Sequence, residues 1–501
     1  MKTLLLPLVL LPFSAAFCAT YFVSNEGSDS WSGTSPDSAF ATLQHAADLV
    51  APGDSVLAMD GSYDGFDLRS GGTGSQPVTF ATAGNQVWID HENPVTPDGI
   101  NIEGAHWVVV DGYNLTGLPR NGVRVALADH VTVRNCYCGD CYERGIFTAF
   151  AEWVTIEYNE CCGSIDEHGI YHSNSGDHPV IRFNVCHSNS SCGIHMNGDL
   201  SSGGDGIISD ALVEGNIIYG NGESGGSGIN CDGVVESSIW NNLLYMNHAG
   251  GISLYMIDGA SGSHHVNVYN NTIVQPEDGR WGLNINTGST YASVLNNTVL
   301  TAHPWRGSIS IDDSSREGFQ SDFNLTEDRF SVDGGDTVIP LSQWQSLGYG
   351  ASTQVCLGWG MTFADWQGGD YHNAPGSQAL DSGTSLVQPP VTSDLDGVPR
   401  PQGTGFDIGC YESWPQGTGG GQSGYGQAPV VLRGSGYMLF TGVSDSYPVL
   451  VLDLAGRLAA KLIPCEGTAL WVIRGCPAGV YLYAAVADGG EARVSGKLIV
   501  Y

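Results

Sequence analysis

The sequence predicts an all-β fold: a right-handed parallel β-helix, closed at its start by a capping helix and followed by a small C-terminal β-sandwich. Two regularities predict the solenoid. A glycine followed by an alternating apolar run recurs at Gly99, Gly122, Gly145, Gly169, Gly193, Gly228, Gly251 and Gly282, at intervals of 23, 23, 24, 24, 35, 23 and 31 residues. A period of this kind belongs to stacked coils, each too small to bury its apolar face alone. The second regularity is a polar position in phase with the first: Asn159, Asn184, Asn216, Asn242, Asn271, Asn297 and Asn324. Asparagine tolerates the left-handed backbone of a tight corner, and stacked side-chain amides bond from coil to coil. These residues are therefore assigned to a structural ladder and to no function. The second domain follows from composition, which turns glycine-rich from about 413 to 427 before alternating short strands resume over 428–501.

Each element in turn has its own justification. Residues 1–16 carry Lys2, an apolar run from Leu4 to Phe13 and the small-residue stretch Ser14-Ala15-Ala16, the pattern of an export signal. No later stretch reaches the roughly 18 to 20 uninterrupted apolar residues of a membrane span. Ser38 to Val50 has apolar residues at helical spacing and is expected to cap the open edge of the first coil. The two long intervals mark loop insertions around 200–209 and 258–265, and a ninth coil continues in phase at Ile309 and Ile311. Cys138, Cys161 and Cys186, spaced by about one coil, are expected to stack at one corner as thiols or inter-coil disulfides, and Cys465 with Cys476 to bridge a hairpin of the small domain.

Composition limits the partners. The chain has 501 residues, 52 Asp+Glu against 18 Lys+Arg and a formal charge of -34, which repels polyphosphates and anionic membranes and excludes a nucleic-acid binder. With 12 Trp, 21 Tyr and 15 Phe it is no disordered acidic tail. Lysine occurs only at Lys2, Lys461 and Lys497, so no lysine base is available in the main body.

The segment Thr20 to Gly33 (TYFVSNEGSDSWSG), the predicted helix and Pro52-Gly53-Asp54-Ser55-Val56, with the closing stretch Gly369 to Glu412, resemble right-handed parallel β-helix proteins of the pectate-lyase-like superfamily over roughly residues 20 to 412 of an expected domain 17–412. That resemblance implies the fold and leaves the reaction open among lyases, hydrolases, epimerases and binding proteins. Gly456-Arg457, Pro477-Ala478-Gly479-Val480-Tyr481 and the terminal Gly496-Lys497-Leu498-Ile499-Val500-Tyr501 are similar to C-terminal sorting domains of type IX secretion. This implies delivery to the cell surface or medium through type IX-like machinery, and a monomer is expected.

The chemistry is expected on the face formed by the strands that follow the glycines, where the second and fourth residues point outward. The second position gives Arg124, Tyr171, His195, Asn230, Ser253 and Asn284; the fourth gives Asn197, Asp232, Tyr255 and Asn286. Aromatic, imidazole, amide and carboxylate groups on coils about 4.8 Å apart suit a sugar chain, whose ring faces stack on aromatics while its hydroxyls meet amides. Three functions stay open. For β-elimination or C5 epimerisation at a uronate, His195 is the expected base and Tyr171 the acid, with Asn197 and Asn230 on the substrate carboxylate. Arg124 is expected on a neighbouring carboxylate, with Tyr255, Asn284 and Asn286 as further substrate contacts. For glycoside hydrolysis the expected pair is Asp199 and Asp232, with Asp166, Glu167 and Asp312 as reserves. The third is glycan binding without chemistry. Asp166-Glu167-His168 with His172 and Asp177-His178 is rich in metal-ligand types, but His172 falls in the inward phase. Calcium is the cofactor the sequence suggests, from loop oxygens such as those of Gly203-Gly204-Asp205-Gly206, and it would bridge an anionic sugar to an acidic surface.

Overall fold

The computed structural model describes residues 18–413 and, beyond them, 430–434, 437–441, 449–453, 458–463, 468–472, 479–486 and 493–500. The expected export signal, the glycine-rich linker and Cys465 with Cys476 lie outside these residues.

The chain winds into a right-handed parallel β-helix of three sheets with 12, 11 and 12 strands. One coil shows the plan. Ile170–Ser173 lies in the front sheet, Val180–Arg182 in the second and Val185–His187 in the third, and Ile194–Asn197 then pairs directly with Ile170–Ser173. The apolar residue after each glycine points inward, so Ile170, Ile194, Ile229, Ile252, Leu283 and Ile309 stack in register and are buried. This continuous column is what the repeat encodes, because apolar burial scales with the area each coil hides on its neighbours.

The repeating glycines are required by close approach between coils. A Cβ at Gly145 would lie 2.7 Å from the Gly169 carbonyl oxygen, one at Gly169 2.8 Å from that of Gly193, and one at Gly193 2.9 Å from that of Gly228. The asparagine ladder is present as expected: each Oδ1 accepts the backbone N–H and the Nδ2 of the preceding coil, at 3.0 Å from Asn159 to Asn184 and 2.9 to 3.0 Å from Asn184 to Asn216. The left-handed backbone sits one residue earlier than expected, at Tyr158, Phe183, Gly215, Asn241, Asn270, Asn296 and Phe323, so the ladder asparagine is the first residue after the corner. A shorter ladder of Ser164, Asn189, Asn221 and Asn247 braces the approach to the front sheet.

The capping helix is shorter than its periodicity suggests, spanning Leu43–Leu49, because Phe40 is drawn into a bridge with Val23 and Thr42 accepts from the His45 N–H as N-cap. Gln44 completes the cap: its side-chain amide exchanges two hydrogen bonds with the backbone of Asp67, satisfying the free edge of the first front strand. At the other end Trp344, on helix Leu341–Ser346, is buried against Phe330. The closing stretch lies along the flank, where Tyr371, Leu395 and Tyr411 pack on Leu243, Val274 and Leu300 and Arg400 is buried in an ion pair with Glu412.

Cys138, Cys161 and Cys186 do stack, but mid-strand on the inner face of the third sheet and not at a corner. All eleven described cysteines are thiols, the first of the two expected alternatives, and the three behave as small apolar core residues. Beyond residue 429, antiparallel sheets of three and four strands share a core that includes Phe440, Val451 and Trp471, in keeping with the expected sandwich.

Candidate active site

The front-sheet columns form as the alternation predicts. Tyr171, His195, Asn230, Ser253, Asn284 and Ser310 are successive register partners, as are Ser173, Asn197, Asp232 and Tyr255. Tyr171 and His195 therefore share one surface, their rings stacked at 4.8 Å. The Arg144 guanidinium covers the other side of Tyr171 at 5.1 Å, held by a two-pronged bond to Glu167. Asn197 donates to the Tyr171 hydroxyl at 3.2 Å, while its Oδ1 accepts the Asp199 N–H.

Hydrogen-bond polarity assigns the histidines. The Cys192 backbone N–H donates to His168 Nδ1 at 3.1 Å, so in the neutral ring His168 carries its hydrogen on Nε2. That hydrogen points at His195 Nδ1, 3.0 Å away, which must accept it. His195 then carries its own hydrogen on Nε2, facing the Tyr255 hydroxyl at 3.4 Å. Burial holds His168 well below the usual imidazole range and His195 down at about 4, the Arg144 charge adding to the effect on both. The chain Cys192 N–H to His168 to His195 to Tyr255 thus runs in one direction with neutral rings. This corrects the assignment of His195 as a base: the nitrogen nearest Tyr255 is a donor. Burial also pushes the Tyr171 and Tyr255 hydroxyls above the ordinary phenol range.

His168, Cys192 and His195 also bring three soft donor atoms within 4.8 Å of one another. A metal on His168 Nε2 would need the ring hydrogen on Nδ1, where it would meet the Cys192 N–H, so this trio is a hydrogen-bond relay. His172, as its inward phase predicts, is buried between the Thr148 hydroxyl at 2.6 Å and the Gly176 carbonyl at 2.7 Å.

Other expectations change with the geometry. Asp232 is 1% exposed, and its carboxylate accepts the N–H groups of Ile257, Asp258 and Gly259, pinning the loop inserted after Tyr255. Asp199 accepts from the backbone and hydroxyls of Ser201 and Ser202. Two carboxylates spent on loop capping are poorly placed as the acid and base of a hydrolase. Arg124 is bound by Asn101 at 2.7 Å and Glu103 at 2.9 Å, which takes it from any substrate carboxylate. The reserve residues Glu167 and Asp312 bind Arg144 and the Thr287 N–H, respectively. Asp205 accepts the Ile207 N–H, so the carboxylate expected to bind calcium is engaged within its own loop.

Beside the relay lies a groove of about 610 Å³ in which the expected contacts Asn230, Tyr255, Asn284 and Asn286 do meet. Two of them join it to the relay: Asn230 donates to Cys192 Sγ at 3.1 Å, and Tyr255 meets His195. The far wall was not anticipated. It is built from Arg280-Trp281 and Trp305-Arg306, two loop pairs flanking the front strand Leu283–Ile285, with Trp305 46% exposed and Arg306 lying 4.9 Å over its ring. Eight arginines of the β-helix are paired with carboxylates and Arg329 donates to the carbonyls of Thr301 and His303, whereas Arg280 and Arg306 line the groove with no carboxylate partner among the described residues. The signal was available in the sequence: in a lysine-free body, arginine adjoins tryptophan at these two points, on either side of one repeat glycine.

The class defined by this architecture is the parallel β-helix with a groove along its front sheet. The family described as periplasmic copper-binding protein (NosD) matches residues 62–251. YwoF, an uncharacterised protein of Bacillus subtilis (strain 168), is 29% identical over 107 residues, which is 19% of this chain and 22% of YwoF; the chain thus matches about a fifth of that relative's length. Among solved structures, pectate lyase Pel9A is similar over 79% of this chain and 96% of its own, with a TM-score of 0.54 and 16% identity. The GH136 lacto-N-biosidase from Eubacterium ramulus is similar over 67% of this chain and 68% of its own, with a TM-score of 0.47 and 13% identity. At 16% identity the likeness to pectate lyase Pel9A is one of fold. Among the described residues no helix is long and apolar enough to cross a membrane.

Proposed function

We propose that this chain is an exported, carbohydrate-active protein that binds an acidic polysaccharide in the front-sheet groove and cleaves it by β-elimination at a uronate. The observation that carries the reading is the pair Arg280 and Arg306, cations without carboxylate partners on the wall of one groove, Arg306 beside the exposed Trp305, in a chain of charge -34. An acidic surface repels a polyanion except where such charges are left unpaired. Guanidinium groups suit carboxylates, and the exposed Trp305 suits a sugar ring, Trp281 being buried in the wall. Export through the segment 1–16 and surface delivery by type IX-like machinery acting on 428–501 belong to the same proposal, as does a monomeric state. Calcium is no required part of it.

In this scheme Arg280 and Arg306 neutralise the uronate carboxylate and acidify the adjacent C5–H. Tyr255, the relay residue that lines the groove, transfers the proton: its phenolate takes it from C5, the C4=C5 double bond forms as the C4–O4 bond breaks, and the phenol returns the proton to O4. His195 is a positioning residue, its Nε2–H directed at the Tyr255 oxygen and favouring the phenolate. Tyr171 takes no proton here and supports the His195 ring by stacking.

The test is a screen of purified protein against polyuronates and neutral glycans, following unsaturated-uronate absorbance, reducing ends and binding together. Absorbance that is lost in Tyr255→Phe while binding persists supports the scheme. Arg280→Ala and Arg306→Ala should each weaken binding of the acidic glycan about tenfold or more, the worth of a charge-assisted hydrogen bond. Reducing ends without absorbance would overturn elimination, and no preference for acidic glycans would overturn the groove assignment. A second reading, glycan binding without turnover, is favoured by the one-way relay that leaves His195 no free lone pair; binding with silence in both product assays selects it.

A further inference from the structure

A second cluster lies away from the groove, on the outer face of the third sheet. Glu160 and Cys162 occupy alternate positions of the strand Glu160–Cys162, so both side chains leave the same face, and His187 on the next coil is the register partner of Cys162. One ligand atom from each lies within 4.8 Å of the other two, with His187 Nε2 3.2 Å from Glu160 Oε1. The imidazole is fixed on its remaining sides. Its Nδ1 faces the Ser188 hydroxyl at 3.2 Å, and its plane stacks on Tyr219 at 4.7 Å and 6°.

This arrangement differs from the relay in donor polarity. With a metal on Nε2, His187 carries its hydrogen on Nδ1, where the Ser188 oxygen accepts it, and no competing donor stands in the way. Glu160, Cys162 and His187 are all half-buried, with the Glu160 side chain more open than that of His187, so a fourth position opens to solvent. The aromatic column continues from Tyr219 to Tyr245 and then to Tyr371 of the closing stretch, which covers the later coils. We propose that Glu160, Cys162 and His187 form a three-ligand site for a borderline transition-metal ion of the Zn2+ class, with one coordination position left open. A thiolate, an imidazole and a carboxylate at one point match the ligand chemistry of such ions and not that of calcium. The proposal is independent of the groove and its reaction.

The probe is Co2+ added to the reduced, metal-free full chain, because a cobalt–thiolate bond gives a near-ultraviolet charge-transfer band that carboxylate binding lacks. One equivalent should bind with that band and be displaced by Zn2+ but not by Ca2+. Cys162→Ser should abolish the band, Ser188→Ala should weaken binding about tenfold through the freed imidazole, and Cys192→Ser should leave it intact. Circular dichroism and the thermal transition check that each variant folds, and Glu160→Gln, an isosteric change at a half-buried position, serves as a second ligand variant with an expected loss of affinity. Absence of the band in the native chain, its persistence in Cys162→Ser, or its loss in Cys192→Ser would each overturn the assignment.

Discussion

His172 and Tyr255 show how far burial governs single groups in this protein. Burial lowers His172 to about 4 and keeps it neutral between Thr148 and Gly176. Its folded value is depressed, so its contribution to stability is present above the unfolded value near 6.5 and is lost as the pH falls towards 4. His172→Asn should therefore be less stable than the native chain at pH 7 by about 1–3 kcal/mol. The gap should narrow by about 1.4 kcal/mol per pH unit below 6.5 and so close before pH 4, as read from denaturant midpoints; a constant gap would refute the neutral assignment. Tyr255 is pushed upward, so if its phenolate is the base, turnover on polyuronate should rise with pH through the alkaline range, whereas a plateau beginning near neutrality would point to another group. Alternation along the strands was enough to bring Tyr171, His195, Asn230 and Tyr255 together. It could not show that His168 and a backbone N–H fix the hydrogen on His195, nor that Asp232 answers a loop some 25 residues further along the chain. Those depend on where loops return, which no periodicity carries.

For the elements, the repeat was legible because stacking makes the same demand at every coil. Gly193→Ala would place a Cβ 2.4 Å from Ile218 Cγ2 and 2.9 Å from the Gly228 carbonyl oxygen, and should cost about 1–3 kcal/mol by overpacking. Gly360→Ala, with open space around it in a short helix, should be neutral or slightly stabilising. Asn216→Ala strips the Asn184 N–H of its acceptor and the Ile181 carbonyl of a donor, both buried, for about 2–4 kcal/mol. Chemical denaturation of the three variants checks this order, and an Asn216→Ala protein as stable as Gly360→Ala would deny the ladder its role. The helix boundary was misjudged because Phe40 satisfies helical spacing and a strand bridge equally well, and only the position of Val23 decides between them. Arg280 and Arg306 escaped for a related reason: they sit on connections outside the strand phase, where only their pairing with tryptophan marks them.

For the whole molecule, the closing stretch is part of the β-helix and the sandwich is a body with its own core. A chain ending at Glu412 should keep the thermal transition of the β-helix, since the two buried cores share no residue. A chain ending at Gly368 loses the Arg400–Glu412 ion pair, the bond from the Cys410 N–H to the Thr272 hydroxyl and the cover over Leu243, Val274 and Leu300, and should melt lower or aggregate. Differential scanning calorimetry of the two truncations separates these outcomes, and equal transitions in both would remove the closing stretch from the fold.

The asparagine ladder bears also on mechanics. Its amide bonds and the backbone bonds between coils all run along the long axis, whereas the covalent chain runs around it. Tension applied between the ends therefore loads one coil's hydrogen bonds at a time, and the solenoid should peel in steps that each release roughly 80 Å of chain, a coil of 23 residues drawn out straight. Load applied across the axis meets the strands lengthwise and is shared by many coils at once. If the sandwich tethers this protein to a surface, drag on a bound polymer lying in the groove would be carried in that stiffer direction or the weaker one according to how the polymer is oriented.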